Sequence, residues 1–360
     1  MKIAIITDTH CGAGNDNQHL NEFFLKFYED VFFPYIKANN IKTVIHLGDT
    51  FDRRKYINFN TLHSWQKRVF SSLNELCDRV DILIGNHDTY YKNTNSVNSV
   101  NELLKIYDKF NVYENSSEVF IENTSILYVP WICEDNYSQT MSMIESSKSS
   151  ICMGHLELIG FEMYGGHINA DKGLRSEIFD KFYMTLSGHF HQKSSRGNIH
   201  YLGAPYAMMW GDYGSIKGFH VLDTDTMSLS FVENPIHMFH KIYYDDSCET
   251  YDSLMEKNHD ELKEKFVKII VRKKTNPYWF DQYFEKIQKI NPADISIIES
   301  SFEDSVSSEV DIDEAKDTLT ILKECVESLS VDEYKNSLND LLRELYTESL
   351  NTNEHIQSNG

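Results

Sequence analysis

The chain has 360 residues, of which 41% are hydrophobic, 13% aromatic and 25% charged, with only 6 Pro and 16 Gly. This composition excludes collagen-like, low-complexity and wholly disordered chains and accommodates about two domains of ordinary size. The balance of 34 Lys and Arg against 55 Asp and Glu gives −21, which taken alone argues against nucleic acid as a partner, although residues 298–360 carry 16 acids and 4 bases and so most of the excess.

In chain order, the first 160 residues alternate short β-branched runs with longer amphipathic ones. The pattern predicts a strand near 2–8, a helix over 17–38, a strand over 42–47, a helix over 58–77, a strand over 80–85 and a helix over 97–108. Such an order predicts α/β units. After Pro130-Trp131 a short helical stretch precedes Ile151-Cys152-Met153-Gly154-His155, a strand running into a turn, and Phe182 to His189 repeats that design. From 199 to 244 short alternating runs broken by Gly and Pro predict further strands, so that the α/β core closes as a sheet sandwich. Residues 265–299 read as strand, helix (277–290) and strand, a compact accessory unit, and 299–314 as an acidic, Ser-rich linker. Two amphipathic helices then place Leu319, Leu322, Val326 and Leu329 on one face and Tyr334, Leu338, Leu341, Leu342 and Leu345 on the next.

Six cysteines without a CxxC pair predict reduced thiols rather than a zinc ribbon or a disulfide scaffold. No run of 18 apolar residues is present, and the opening Met1-Lys2-Ile3 run meets Asp8 too soon for a secretory signal. The expectation is a soluble cytoplasmic protein with no membrane partner.

Chemistry concentrates in five short pieces, each just after an apolar run: Asp8-x-His10, Gly48-Asp49-x-x-Asp52, Gly85-Asn86-His87-Asp88, Gly154-His155 and Gly188-His189-Phe190-His191. In an α/β sheet the carboxyl ends of the strands open on one crevice, so these loops can converge. A donor set of Asp, Asn and His without Cys suits a hard-to-borderline divalent ion such as manganese better than a structural zinc. Seven potential ligands (Asp8, His10, Asp49, Asn86, His155, His189, His191) exceed what one ion takes, and Asp49 can bridge two ions roughly 3.5–4 Å apart, as in two-metal phosphoryl-transfer sites.

The five pieces, in this order, resemble the motifs of the calcineurin-like metallophosphoesterases. Motif intervals and the small unit plus helical tail after them resemble more narrowly the SbcD/Mre-type DNA repair nucleases. Val129-Pro130-Trp131-Ile132-Cys133-Glu134 and Gly154-His155-x-Glu157-x-x-Gly160-Phe161 are most similar to the recombination endonuclease subunits of large tailed phages. The resemblance implies a four-layer α/β sandwich of two mixed sheets flanked by helices over 1–240, an accessory DNA-binding or capping α+β domain over 241–298, the linker 299–314 and a helical partner-binding segment over 315–350. It implies two Mn2+ ions, with Mg2+ as the substitute: Asp8, His10, Asp49 and His191 around one, and Asp49, Asn86, His155 and His189 around the other. His87, held by Asp88, would stabilise the phosphate in flight or protonate the leaving 3′ oxygen. Asp52 follows the wider superfamily, where some nuclease relatives carry histidine with a role at duplex ends.

The resemblance also implies partners: DNA, as duplex ends and single strands; an SbcC-type coiled-coil ATPase bound by the leucine-bearing tail; and a second copy, paired through helices near 58–77 and 97–108. If the source is a phage, the compartment is the host cytoplasm. Arg53, Arg54, Lys55, Lys92, Lys193 and Arg196, with Arg272-Lys273-Lys274 further on, are candidates for the DNA backbone. Among the other histidines His46, three residues before Asp49, is the candidate to support a ligand. The leading expectation is a manganese-dependent nuclease, 3′-to-5′ on duplex DNA and endonucleolytic on single strands. A protein-phosphatase-like monoesterase competes through Gly48-Asp49-Thr50-Phe51-Asp52-Arg53, although Arg54 replaces the Gly of that signature and Asn86-His87-Asp88 its Asn-His-Glu. A non-catalytic assembly subunit is the third reading.

Overall fold

The computed structural model describes residues 1–164, 167–170 and 172–299, and residues 1–299 form one compact unit. Two six-stranded sheets carry its larger part. In the first, the spatial order is Ser228–Glu233, Gly218–Asp223, Lys2–Ile6, Thr43–His46, Arg79–Leu83 and Phe110–Tyr113. The last four strands are parallel and the first two antiparallel. The second sheet runs Ser194–Arg196, Ile199–Tyr201, Met184–Gly188, Ile151–His155, Thr124–Val129 and Ser117–Ile121, parallel except at its two outer pairs. Both sheets are mixed, as expected.

Alternation along the strands builds the layers. Ile3 and Ile5 point into the space between the sheets with Ile45, Leu83, Ile126, Tyr128, Ile151, Met153 and Leu186. Ala4 and Ile6 point the other way, onto Phe24, Phe27, Phe32, Trp65 and Phe70 of the covering helices. The outer face of the second sheet buries Leu127, Val129, Cys152 and Tyr201 with Ile144 and Phe179. Strands buried on both faces explain why the sequence shows continuous apolar runs there rather than polar alternation.

The helix expected over 17–38 starts where Asn17 accepts the N–H groups of His19 and Leu20, and runs as Gln18–Phe27, one wide turn Tyr28–Phe32, and Phe33–Ala38. Pro34 has no N–H to offer the preceding turn, and the wide turn ahead of it absorbs that loss. The second long helix spans Phe59–Leu76, also through one wide turn. The helix expected over 97–108 is confined to Ser99–Leu104, because Asn74 takes the Lys109 N–H and pins the chain that follows.

A third, all-parallel sheet is made of Phe239–Asp245, Phe266–Lys273 and Asp294–Glu299. Its crossovers carry Tyr251–Glu256 and Pro277–Lys289, and it has its own core of Tyr244, Leu254, Val267, Ile269, Phe280, Tyr283 and Ile287. The sequence announced the last two strands and the helix between them; the first strand, Phe239–Asp245, straddles the boundary expected between 240 and 241 and continues the strand-rich stretch 199–244. Residues 300–360, with the linker and the partner-binding leucines Leu319 to Leu345, lie outside the described residues. Among the described residues no helix is long and apolar enough to cross a membrane, and Cys11, Cys77, Cys133, Cys152 and Cys248 are free thiols.

Candidate metal centre

All five motif loops leave the carboxyl ends of parallel strands, two sheets feeding one crevice. The strand Lys2–Ile6 stops short of Asp8 because Asp8 and His10 have positive φ (52° and 41°), as do Asp49 (54°) and His189 (87°). Four potential ligands in the left-handed region, which L side chains rarely occupy, mark a backbone bent against its preference to aim donors inward.

Close approach demands glycine at the motif positions, most tightly at two of them. A Cβ on Gly85 would stand 2.1 Å from Asp49 Oδ1, and one on Gly188 2.0 Å from Thr7 Oγ1. The motif glycines let one loop lie directly on the next.

The seven predicted ligands come together, buried or nearly so. Asp8, His10 and His191 form one cluster and Asp49, His155 and His189 another, each with donor atoms within 4.8 Å of one another. His10 Nε2 faces His191 Nε2 at 3.0 Å and Asp49 Oδ2 at 3.8 Å. Asn86 Oδ1 lies 2.9 Å from His155 Nε2, which also meets Asp49 Oδ2 at 3.2 Å. His10, Asp49 and His87 form a third cluster between them.

These contacts fit a cation. His155 Nδ1 lies 2.9 Å from the Leu47 carbonyl, which can only accept, so Nδ1 carries the proton and Nε2 turns its lone pair to the centre. Without a cation, Nε2 must also be protonated to face two oxygens. Accordingly, although burial pulls the His155 pKa down, Asp49 and Asp8 raise it to about 9. His10 behaves alike: burial works against protonation, but Asp52, whose Oδ1 is 3.3 Å from Nδ1, and Asp49 raise it to about 10. The histidines His189 and His191 go the other way, held neutral by burial and by the neighbouring His155 and His10, His189 with a pKa of about 3. Asp49 is kept ionised, its burial outweighed by His155 and His87. Carboxylate and amide oxygens converging with imidazole lone pairs form a donor set that suits a divalent cation.

His87 donates its main-chain N–H to Asp49 Oδ1 (2.8 Å) and sets Nδ1 2.6 Å from the main-chain oxygen of Asp52. By the same carbonyl argument Nδ1 is the protonated nitrogen and Nε2 the one free to exchange a proton. This corrects the expectation that Asp88 holds the His87 ring. The Asp88 carboxylate is buried and accepts the N–H groups of Gly85 (2.9 Å), Phe51 (3.0 Å) and Thr50 (3.3 Å), riveting the Asp49 loop to the Asn86 loop. Burial and the Asp49 charge raise its pKa to about 6, against the pull of those amides. His46 supports the same loops: Nε2 meets Thr9 Oγ1 at 2.9 Å and Nδ1 accepts the Gly48 N–H at 3.2 Å, burial holding the ring neutral.

Three supports went unread in the sequence. Thr7 Oγ1 donates to Asp8 Oδ2 at 2.8 Å. The Trp131 ring lies 5.2 Å from that of His189 and 6.0 Å from that of His155; Val129-Pro130-Trp131 carried the resemblance but no role. Lys217, buried, pairs with Asp212 at 2.6 Å and donates to the His191 carbonyl at 2.8 Å. A lone Lys in a strand-rich stretch gives no such signal.

The predicted DNA-backbone residues are spread more widely. Arg53 pairs with Asp16 at 3.1 Å; Arg54 is half-buried and donates to Thr89 Oγ1 at 3.0 Å. Lys55 and Lys92 are exposed. Lys193 sits 3.8 Å over the Phe231 ring, and Arg196 ends an exposed edge strand.

Residues 1–212 match the calcineurin-like phosphoesterases. The chain is 32% identical over 244 residues to exonuclease subunit 1 of Enterobacteria phage T4, a match that covers 68% of this chain and 71% of that one. Among solved structures it is similar to an archaeal phosphodiesterase (15% identity, 65% of this chain and 100% of that one, TM-score 0.32) and to a protein of unknown function from Aquifex aeolicus (20% identity, 43% and 77%, TM-score 0.27). Since that first match takes in every one of the five donor loops, the chain belongs to the calcineurin-like phosphoesterase family and is a hydrolase of phosphoesters that works with divalent metal.

Proposed function

We propose that the protein is a manganese-dependent DNA nuclease, exonucleolytic from 3′ to 5′ on duplex ends and endonucleolytic on single strands. The observation that carries this reading is the convergence of seven residues with oxygen and imidazole donors, Asp49 among them, in a chain 32% identical to an exonuclease subunit. Asp8, His10, Asp49 and His191 would hold one ion and Asp49, Asn86, His155 and His189 the other. Bound there, divalent ions supply charge neutralisation for a phosphodiester and acidify the attacking water.

The chain's own groups do the rest. Asp88 and His46 fix the loops, the Leu47 carbonyl fixes the His155 tautomer, and His87, anchored through Nδ1, presents Nε2 to the phosphate or to the leaving 3′ oxygen. Being named a subunit, the phage relative also supports a partner here, which we infer to be an SbcC-type coiled-coil ATPase bound through residues 315–350. A homodimer through the helices near 58–77 and 97–108, acting in the cytoplasm of the host, completes the reading.

The test is cleavage of labelled duplex and single-stranded DNA with manganese, magnesium or EDTA, comparing the native chain with Asp49→Ala and His87→Ala. Metal-dependent cleavage, lost in both variants, is the expected result. Hydrolysis of p-nitrophenyl phosphate but not of its bis ester would favour a monoesterase. No cleavage even with the ATPase added would leave an assembly subunit.

A further inference from the structure

Two stretches beside the metal centre carry no acid. In a chain with 55 acids among 360 residues, positions 53–74 and 89–101 hold none, where the average would place about five. They begin directly behind the two loops that meet at His87. The main-chain oxygen of Asp52 faces the His87 ring at 2.6 Å, and Tyr90, three residues beyond His87, is tied by its N–H to the Val97 carbonyl at 2.9 Å.

Rings and cations stand among the uncharged polar side chains exposed there. Tyr56 is 66% exposed, Tyr91 51% and Tyr90 40%. The Arg53 guanidinium lies 5.0 Å from the Tyr56 ring centre and the Lys55 Nζ 5.7 Å from that of Tyr90. Tyr90 and Tyr91 meet edge to face at 4.7 Å, and Lys92 beside them is exposed. The nearby acids Asp16 and Asp135 are engaged, one by Arg53 and the other by Thr94.

We propose that Tyr56, Tyr90 and Tyr91, with Arg53, Lys55 and Lys92, form a stacking platform for unpaired nucleotides entering the metal centre. The proposal rests on the nuclease reading and narrows its substrate to single strands and frayed ends. An aromatic ring stacks on a base only where the face of that base is free, and in a duplex the neighbouring pairs cover it. The exposed cations Lys55 and Lys92 meet the phosphates between bases, while Arg53, paired with Asp16, backs the Tyr56 ring. The dimer inferred above uses the helices that follow these loops; a second copy seated on the rings themselves is the competing occupant, and the like charges of Lys55 and Lys92 on both copies oppose it.

Anisotropy of a short labelled single strand with the full chain, in EDTA so that cleavage does not intervene, tests the platform. Tyr90→Ala and Tyr91→Ala should each weaken binding about tenfold, with Tyr→Phe at either position retaining it and with an abasic strand of the same length losing little. A 2-aminopurine in the strand should be quenched by the native chain and less so by the alanine variants. Truncating exposed rings leaves the core intact, which unchanged melting temperatures verify. Unchanged affinity in the alanine variants, or an equal loss on the abasic strand, overturns the platform, as does retained binding with a dimer turned monomer in sedimentation. If the native chain cleaves DNA and only the alanine result fails, the nuclease reading stands without the platform; if it neither binds nor cleaves DNA, both fall.

Discussion

The Tyr128 hydroxyl donates to Asp81 Oδ2 at 2.8 Å across the space between the two large sheets. Asp81, fully buried, also accepts Arg79 Nε through both oxygens at 2.9 Å and Asn111 Nδ2 at 2.9 Å. One carboxylate thus ties adjacent strands of the first sheet to the second in the middle of an otherwise apolar layer.

Removing Asp81 leaves the buried Tyr128 hydroxyl without its acceptor and takes from the partly exposed Arg79 its carboxylate, though not its bond to the Tyr113 hydroxyl. Asp81→Ala should cost about 2 kcal/mol, since it strands the Tyr128 hydroxyl in the core and removes the bonds of Arg79 and Asn111 to a charged group. Tyr128→Phe, which removes one hydrogen bond to a charged group, should cost about 1.5 kcal/mol. Urea unfolding of the three proteins checks both figures, and equal midpoints would mean that the cluster contributes nothing.

Lys217 reaches the metal centre through a main-chain oxygen. Its ammonium joins Asp212 to the His191 carbonyl, while Asp212 Oδ2 accepts the Met208 N–H at 2.9 Å. Lys217→Met should release the His191 loop and lower metal affinity at least tenfold, the usual effect of losing a group that orients a ligand. Calorimetric titration of manganese into the metal-free chain reads this directly, and an unchanged affinity would confine Lys217 to stability.

The seven donor positions were legible because rare residue types are concentrated at strand ends, and the structure brings their side chains into one crevice. His46 was legible as a support from its place three residues before Asp49, but Lys217 was not, because it reaches His191 over 26 positions, and neither was the tie between the sheets, because Asp81 reaches Tyr128 over 47. Nothing near either residue in the chain marks its partner. For Asp88 proximity misled, since its neighbour His87 is the ring it does not hold; its three bonds run to amides on two loops. The strand Phe239–Asp245 straddles the expected boundary at 240 for the same reason. Its local pattern says strand, but only its pairing with Phe266–Lys273 says which sheet.

His220 makes the stability of the sandwich depend on pH. It is buried in the strand Gly218–Asp223 against the Phe231 ring at 5.0 Å, and burial, aided by the charges of Lys193 and His200, lowers its pKa from 6.5 to about 3. Between those values the unfolded chain binds a proton that the folded chain refuses, so this group destabilises the fold as pH drops below 6.5 and stops doing so near 3. The slope approaches about 1.4 kcal/mol per pH unit. His220→Phe should flatten the acid limb of a stability profile by that amount, measured as the difference between variant and native chain. Parallel profiles would contradict it.

Two glycines separate crowding from backbone strain. A Cβ on Gly85 would lie 2.1 Å from Asp49 Oδ1 and 2.2 Å from Asp49 N, with no positive φ to relieve. On Gly197, with φ +61°, it would meet nothing within 4 Å. Gly197→Ala should therefore cost only the left-handed conformation, about 1 kcal/mol, and leave manganese binding as it is. Gly85→Ala must push the Asp49 loop away from the Asn86 loop, because the atom it meets first belongs to the carboxylate and the next to the main chain. Both clusters of donors share Asp49 or lie against it, so the displacement should abolish manganese binding in calorimetry while the far-ultraviolet circular dichroism of the folded chain persists. Manganese binding retained by Gly85→Ala would mean that the loops can part without losing the centre, and that Asp49 is not its common ligand.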